Sequence, residues 1–201
     1  MKDLVLLVAD KNAHFALKGA LERPAALGIR PIEFEFRVHP GRDGGTRKTG
    51  PDVLALERRR FRHGFLVFDF EGCGSDLPDA VALESQMDAR LQGHWNNDAK
   101  AIVIHPELDV WVWGSDNAIE EAIDWPVGKG LREWLQEQGF TFDGNGKPTR
   151  PKEALEAALR IPNQPRSSAL YQHLAGKISL RKCTDEAFMR LRMQLVAWFP
   201  K

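Results

Sequence analysis

Two carboxylate side chains, Asp69 and Glu71, directly follow an apolar run at residues 65–68. A bounded apolar run of this length is typical of a strand that is buried on both faces. In open α/β sheets, ligands bind beyond the carboxyl ends of the strands, so these acids lie where chemistry is expected. Residues two apart on a strand point to one side, and two carboxylates there would suit Mg²⁺ or Mn²⁺. The alternative is that both acids are ordinary turn and capping residues.

Acids also follow two other apolar runs. The run at residues 4–9 ends at Asp10, which either joins an acidic site or caps the helix predicted to begin near Asn12. The run at 101–104 leads into residues 105–113, which are predicted to be extended, with acids and tryptophans on one side: Glu107, Asp109, Trp111 and Trp113. Because acids follow three buried strands, the sequence predicts a shared acidic edge at the carboxyl ends of one sheet.

The densest positive region of the chain lies between residues 39 and 62. Residues 39–50 are glycine-rich and are predicted to form a loop, which either wraps an anionic ligand or is simply solvated. Residues 51–63 are predicted to form a helix, whose arginines face a polyanion or form a solvated surface. A nucleotide-binding function is a weaker hypothesis, because the fixed order of a P-loop is absent. The cations proposed for phosphate contacts are Arg42, Lys48 and Arg59.

The elements that must position these residues predict an α/β fold. We expect a three-layer, mostly parallel sheet with a helical C-terminal extension. One domain is expected over residues 1–201, with a core at about 1–125 and the extension at about 126–201. The alternating run at 32–38 is predicted to be a half-exposed edge strand. Helices are predicted for residues 78–92, 130–138, 151–160, 167–175 and 184–199.

Composition describes an ordinary globular protein. The chain has 28 Lys and Arg residues against 28 Asp and Glu residues, so its formal net charge gives no global attraction to nucleic acid. Its two cysteines, Cys73 and Cys183, are far apart and are expected to be free thiols in a reducing compartment. The first apolar run is too short for a signal peptide or a membrane span. We therefore expect a cytoplasmic protein without a membrane partner.

The order of these motifs resembles the Toprim-related domains of bacterial phage-defence systems, including a large group described as of unknown function. The resemblance spans nearly the whole chain. At the end of the first strand, Ala9 stands where the family carries a glutamate, and Asp10 follows it. The family's Asp-x-Asp and Glu-x-Trp motifs are matched by residues 69–71 and 109–111. The helix start at Pro151-Lys152-Glu153 and the late Cys183 also match.

The resemblance implies a Mg²⁺- or Mn²⁺-dependent nuclease site that acts on nucleic acid within an anti-phage defence system. It implies Asp10, Asp69 and Glu71 as catalytic residues, and Asp69, Glu71 and Asp109 as metal ligands. Because Ala9 replaces the family's glutamate, the alternative is a catalytically degenerate scaffold that binds other defence proteins or acts as a sensor. Four tryptophans would either anchor such a partner or lie in the core: Trp95, Trp111, Trp113 and Trp125.

Overall fold

A computed structural model describes residues 1–201 and confirms the predicted α/β fold. Its centre is a four-stranded, all-parallel sheet with the strand order β2-β1-β3-β4. The two central strands are apolar and fully buried over most of their length, whereas β2 is half-exposed at one edge, as its alternating sequence predicted. The strands are β1 (Lys2–Val8), β2 (Phe34–Val38), β3 (Phe61–Asp69) and β4 (Ala99–Ile104).

Helices cover both faces of the sheet. A 3₁₀-helix at Leu108–Gly114 follows β4. The α-helices are α1 (Lys11–Leu21), α2 (Pro24–Leu27), α3 (Arg42–Ala55), α4 (Ala80–Trp95), α5 (Asp116–Ala122), α6 (Leu131–Glu137), α7 (Pro151–Arg160), α8 (Ser168–Lys177) and α9 (Glu186–Trp198).

Alternate residues of β1 feed two separate apolar cores, because successive side chains of a strand point to opposite faces. Leu4 and Leu6 join the larger core with α1, the 3₁₀-helix and the C-terminal helices. Val5 and Leu7 join the smaller core with α3 and α4. The C-terminal helices therefore form one layer of the fold and share its main core. No helix of the protein is long and apolar enough to cross a membrane.

The prediction of a loop at residues 39–50 was wrong, because α3 begins at Arg42 and runs through the glycines. Glycine is used here for close approach. A Cβ on Gly45 would lie 2.7 Å from the His39 ring, and a Cβ on Gly50 would lie 2.6 Å from Leu66 of β3. The glycines thus let this helix lie directly on the sheet and on the turn that precedes it.

Pro51 lies inside α3, where it removes the N–H that would bond the carbonyl of Arg47. Arg90 of α4 takes over this role. Its Nη1 donates to the Arg47 carbonyl at 2.9 Å and its Nη2 donates to the Lys48 carbonyl at 2.8 Å. A tertiary contact therefore satisfies the backbone group that the proline leaves without a partner, and the helix continues to Ala55.

The prediction of an extended segment at residues 105–113 was also wrong. The 3₁₀-helix buries Asp109, Trp111 and Trp113 instead of presenting them on one exposed side. Polar partners make this burial possible. The Trp111 indole N–H donates to Asp185 at 2.8 Å, and the Trp113 indole N–H donates to the Pro151 carbonyl at 2.9 Å. A seven-residue apolar segment rich in tryptophan fills the core as a helix as readily as it would as a strand.

Candidate acidic site at the carboxyl edge of the sheet

The carboxyl ends of β1 and β3 meet at the point where the strand order reverses. The chain leaves β1 for β2 on one side, then returns past β1 to reach β3 on the other. Such a switch point opens a crevice in which α/β proteins bind ligands. Asp10 follows β1 and Asp69 ends β3, so the two acids predicted from the sequence flank this crevice. We call this side of the sheet the carboxyl edge.

A third acid, Asp43, enters the crevice from the first turn of α3. Its Oδ1 accepts the backbone N–H of Asp69 at 2.9 Å. The sequence analysis missed it, because residues 39–50 were interpreted as a loop. The available signal was an acid directly after the Gly-Arg pair at a helix start, where acids are favoured.

Backbone N–H groups orient all three carboxylates in the same way. Oδ1 of Asp10 accepts from Ala13 at 2.8 Å and so caps α1, as one of the two interpretations of the sequence expected. Oδ1 of Asp69 accepts from Leu108 at 2.9 Å. The second carboxylate oxygen of each residue makes no hydrogen bond or ion pair to the protein. Three oriented carboxylates therefore each present one free oxygen.

Burial and like charge raise the pKa values of two of these acids. The pKa of Asp69 lies well above its ordinary value because the carboxyl is buried and because Asp43, Asp10 and Asp109 are close by. The pKa of Asp43 is also raised, mainly by burial and further by Asp10. Acids held this way bind a proton or a cation more readily than acids in solvent, and such perturbed groups cluster at functional sites.

Asp109 lies behind this group and is completely buried. Its Oδ2 accepts from Nη2 of Arg166 at 2.5 Å, and its Oδ1 accepts from the Tyr171 hydroxyl at 2.6 Å. Nε of Arg166 donates to the same hydroxyl, which closes a triangle of three side chains. Both oxygens of Asp109 are therefore engaged, and the structure gives this predicted metal ligand a structural contact to the C-terminal helices.

Glu71 does not converge with Asp69 on one side of the strand. β3 ends at Asp69, and Glu71 is exposed in the following turn, with its backbone N–H bonded to the Pro106 carbonyl at 3.0 Å. Its acidic neighbour is Glu107, whose pKa is raised by burial and by Asp109 and Glu71, while Lys152 at 3.5 Å opposes this rise. The two acids of the predicted pair thus face different surroundings.

The three predicted phosphate-binding cations do not gather around one point, since two share α3 and the third lies at the other ends of the strands. Arg42 is exposed at the start of α3, beside the crevice. Lys48 is exposed in the middle of the same helix. Arg59 lies in the turn that precedes β3, at the opposite edge of the sheet. Only Arg42 is therefore placed next to the acids.

The donor set fits a hard divalent cation. Mg²⁺ and Mn²⁺ prefer carboxylate oxygens, and Asp10, Asp43 and Asp69 each offer one that is free. The side chains as they stand do not bring three acidic, histidine or cysteine groups around one point. The residues that would hold a cation are Asp10, Asp43 and Asp69, and their free oxygens would have to approach one point while backbone N–H groups bind Oδ1 of each residue.

The tryptophans considered as partner anchors lie mainly in the core. Trp95, Trp111 and Trp113 are buried, and Trp125 is half-buried against Trp134.

Comparisons of this chain with protein-family models, curated proteins and solved structures gave no match.

Proposed function

We propose that this protein is a Toprim-like component of a bacterial anti-phage defence system, with a Mg²⁺- or Mn²⁺-dependent site that cleaves nucleic acid. The observation that carries the proposal is the arrangement of Asp10, Asp43 and Asp69. Each carboxylate is fixed by a backbone N–H on one oxygen and leaves the other oxygen free. Placing these like charges together disfavours the ionised state, and a cation at this point would relieve that repulsion.

In this mechanism the chain supplies a preorganised anionic site. A divalent cation bound there would polarise a phosphate oxygen and lower the pKa of its bound water. Asp69 retains a proton more readily than an ordinary carboxyl because its pKa is raised, and it must release that proton to act as a ligand. Cation affinity should therefore increase as the pH rises through the raised pKa of Asp69. Leu108 and Ala13, through their N–H groups, keep the carboxylates from turning away.

The test is Mn²⁺ titration by calorimetry, followed by a cleavage assay on single- and double-stranded DNA. Parent protein is compared with Asp69→Asn and Asp43→Asn, which keep an Oδ1 acceptor for the backbone N–H groups. We expect each substitution to weaken Mn²⁺ binding at least tenfold and to abolish metal-dependent cleavage.

Glu71→Gln serves as the matched comparison, because Glu71 is exposed and apart from the three aspartates. Undiminished Mn²⁺ binding in Asp43→Asn, together with loss in Glu71→Gln, would place the ion at the Asp69 and Glu71 pair that the family resemblance implies. Absence of Mn²⁺ binding in the parent protein would refute the metal-dependent function.

A scaffold without catalytic activity is the second candidate, and Ala9 is the observation that favours it. Ala9 is buried in the smaller core, so no carboxylate occupies the position at which the family carries its glutamate. Plaque assays in cells that express the complete defence system separate the two candidates. Protection by Asp69→Asn equal to that of the parent would support the scaffold, whereas loss of protection with normal expression would support the enzyme.

A further inference from the structure

A cationic groove lies beside the acidic site, above the carboxyl ends of β1 and β2. It is formed by the start of α1, the turn from β2 into α3, and one residue of the segment before α8. Three cationic side chains and one acidic side chain line the groove, so it is positive although the whole chain has no net charge. The charged and polar lining residues are Asp10, Lys11, Asn12, His39, Arg42 and Arg166.

Arg166 is the most firmly positioned of these cations. Its Nη2 and Nε are held by Asp109 and Tyr171, while Nη1 makes no hydrogen bond to the protein. Arginine side chains normally lose considerable conformational entropy on binding, and this one is already fixed by a fully buried carboxylate. The free edge of its guanidinium is therefore available for an anion in the groove at little further entropic loss.

Lys11 and Arg42 complete the cationic lining. Both side chains are exposed and neither forms an ion pair with any acid of the chain. Arg42 also has a φ of 50°, a backbone conformation that non-glycine residues rarely adopt. Strained residues of this kind occur preferentially at ligand-binding positions. Arg42 and Lys11 therefore line the same groove, and Arg42 does so from a backbone conformation that is unusual for arginine.

We propose that this groove binds a phosphate group of the nucleic acid substrate next to the acidic site, with Lys11, Arg42 and Arg166 as its contacts. This inference rests on the proposed function and identifies where the substrate backbone would lie. The guanidinium of Arg166 would donate through Nη1, and the two exposed cations would neutralise the phosphate charge. Asp10 lines the groove and also lies near Asp43 and Asp69, so a cation at the acidic site would offset its repulsion for the phosphate.

The test is fluorescence anisotropy with a labelled single-stranded oligothymidylate, measured in EDTA and again with Mn²⁺ over a range of NaCl concentrations. We expect Lys11→Ala and Arg42→Ala each to weaken binding about threefold to tenfold and to lower the salt slope by about 0.7, the value for one lost contact to a single strand. Arg166→Lys keeps the positive charge that neutralises Asp109 but loses the planar guanidinium with its several N–H donors. It should therefore weaken oligonucleotide binding by a similar factor.

Lys182→Ala and Arg160→Ala are the matched controls, because they remove one exposed lysine and one exposed arginine that lie outside the groove. Parent-like binding by the double variant Lys11→Ala/Arg42→Ala would overturn the inference. ATP is added as competitor, and preferential ATP binding with the same sensitivity to the variants would support the phosphate groove with a free nucleotide as its source.

Mn²⁺ calorimetry on the same variants separates this inference from the proposed function. Lys11→Ala/Arg42→Ala should bind Mn²⁺ at least as tightly as the parent does, because neither cation is hydrogen-bonded to the three aspartates and Arg42 places a positive charge beside Asp43. Loss of oligonucleotide binding with intact Mn²⁺ binding would support the groove and leave the metal site untouched. Intact Mn²⁺ binding with undiminished oligonucleotide binding would refute the groove alone.

Discussion

Charged residues are arranged differently at the two ends of the parallel strands. These are the carboxyl edge defined above and the amino edge, which lies at the amino ends of the strands. At the amino edge, acids and bases alternate and are paired. The ion pairs there are Lys2–Glu35, Asp3–Arg30, Arg58–Asp98 and Arg60–Glu57, and Arg37 reaches Glu57 from the carboxyl end of β2. At the carboxyl edge, Asp10, Asp43 and Asp69 lie together without an ion pair, and the nearby charge of Arg42 offsets only part of the rise in the pKa of Asp43.

The pKa values follow this difference. At the amino edge, the hydrogen bond from Arg30 lowers the pKa of Asp3, and hydrogen bonds from Lys2 and Arg37 lower that of Glu35 to about 2. At the carboxyl edge, burial and like charge raise the pKa values of Asp69 and Asp43. One edge is arranged so that charge stabilises the fold, whereas the other accepts unfavourable charge, which is typical of a binding site.

The largest effect is expected at Arg166, the only cation that compensates a completely buried acid at the carboxyl edge. Arg166→Met would leave Asp109 buried with Tyr171 as its sole polar partner. We expect a loss of about 3–5 kcal/mol in the free energy of unfolding, measured by urea denaturation. The double variant Arg166→Met/Asp109→Asn should recover more than half of this loss, since the amide carries no charge. A loss below about 1 kcal/mol in the single variant would show that Asp109 is not held as a charged group.

The next effect has the opposite sign. Asp69→Asn removes an unfavourable charge and keeps the acceptor for Leu108, so we expect it to stabilise the protein at neutral pH. The expected gain is about 0.5–2 kcal/mol, the range of a single stabilising substitution. The measurement is urea denaturation of parent and variant side by side.

The pH dependence of this gain has a defined direction. Because the folded pKa of Asp69 is raised above 3.8, the parent keeps its full stability below that value and loses part of it as the pH rises through the folded pKa. The asparagine does not titrate, so the difference between the variants should grow with pH and then level off. A difference that shrinks with rising pH would contradict the assigned cause. Glu71→Gln, which alters an exposed acid, should show little change.

Much of the fold was predictable because local and tertiary preferences agree. The apolar runs at 4–9, 65–68 and 101–104 and the alternating run at 32–38 predicted the four strands, and the helix predicted at 184–199 is α9. Helix α3 was predicted only from Pro51 onward, and the prediction continued it wrongly to residue 63, where a turn and the start of β3 lie. Its first part was missed because its glycines and Pro51 oppose a helix locally, and the close contact with Leu66 and the Arg90 hydrogen bonds stabilise it. Tertiary contacts of this kind leave no periodic signal in the sequence.

The candidate site was predictable to a similar degree. Asp10 and Asp69 were identified because each directly follows an apolar run, and the end of such a run marks the end of a buried strand. Asp43 and Arg166 were not, since one depends on the position of α3 and the other crosses 57 residues to reach Asp109. Contacts between segments so far apart in the sequence depend on how the helices pack. The spacing of apolar and polar residues within one segment does not predict this packing.

The smallest effect is expected at the amino edge, where Arg30→Ala breaks the pair with Asp3. This pair is partly exposed, with Arg30 Nη2 at 2.7 Å from Asp3 Oδ1, so its loss should lower the free energy of unfolding by about 1 kcal/mol or less.

The effect of salt on stability distinguishes the amino edge from the carboxyl edge. Screening by 1 M NaCl should shrink the difference between parent and Arg30→Ala because it weakens an attraction, and it should also shrink the advantage of Asp69→Asn because it weakens a repulsion. In denaturation experiments, raising the salt concentration should therefore stabilise the parent relative to Asp69→Asn. It should destabilise the parent relative to Arg30→Ala. The same sign for both would show that the two edges do not differ in the way their charges are arranged.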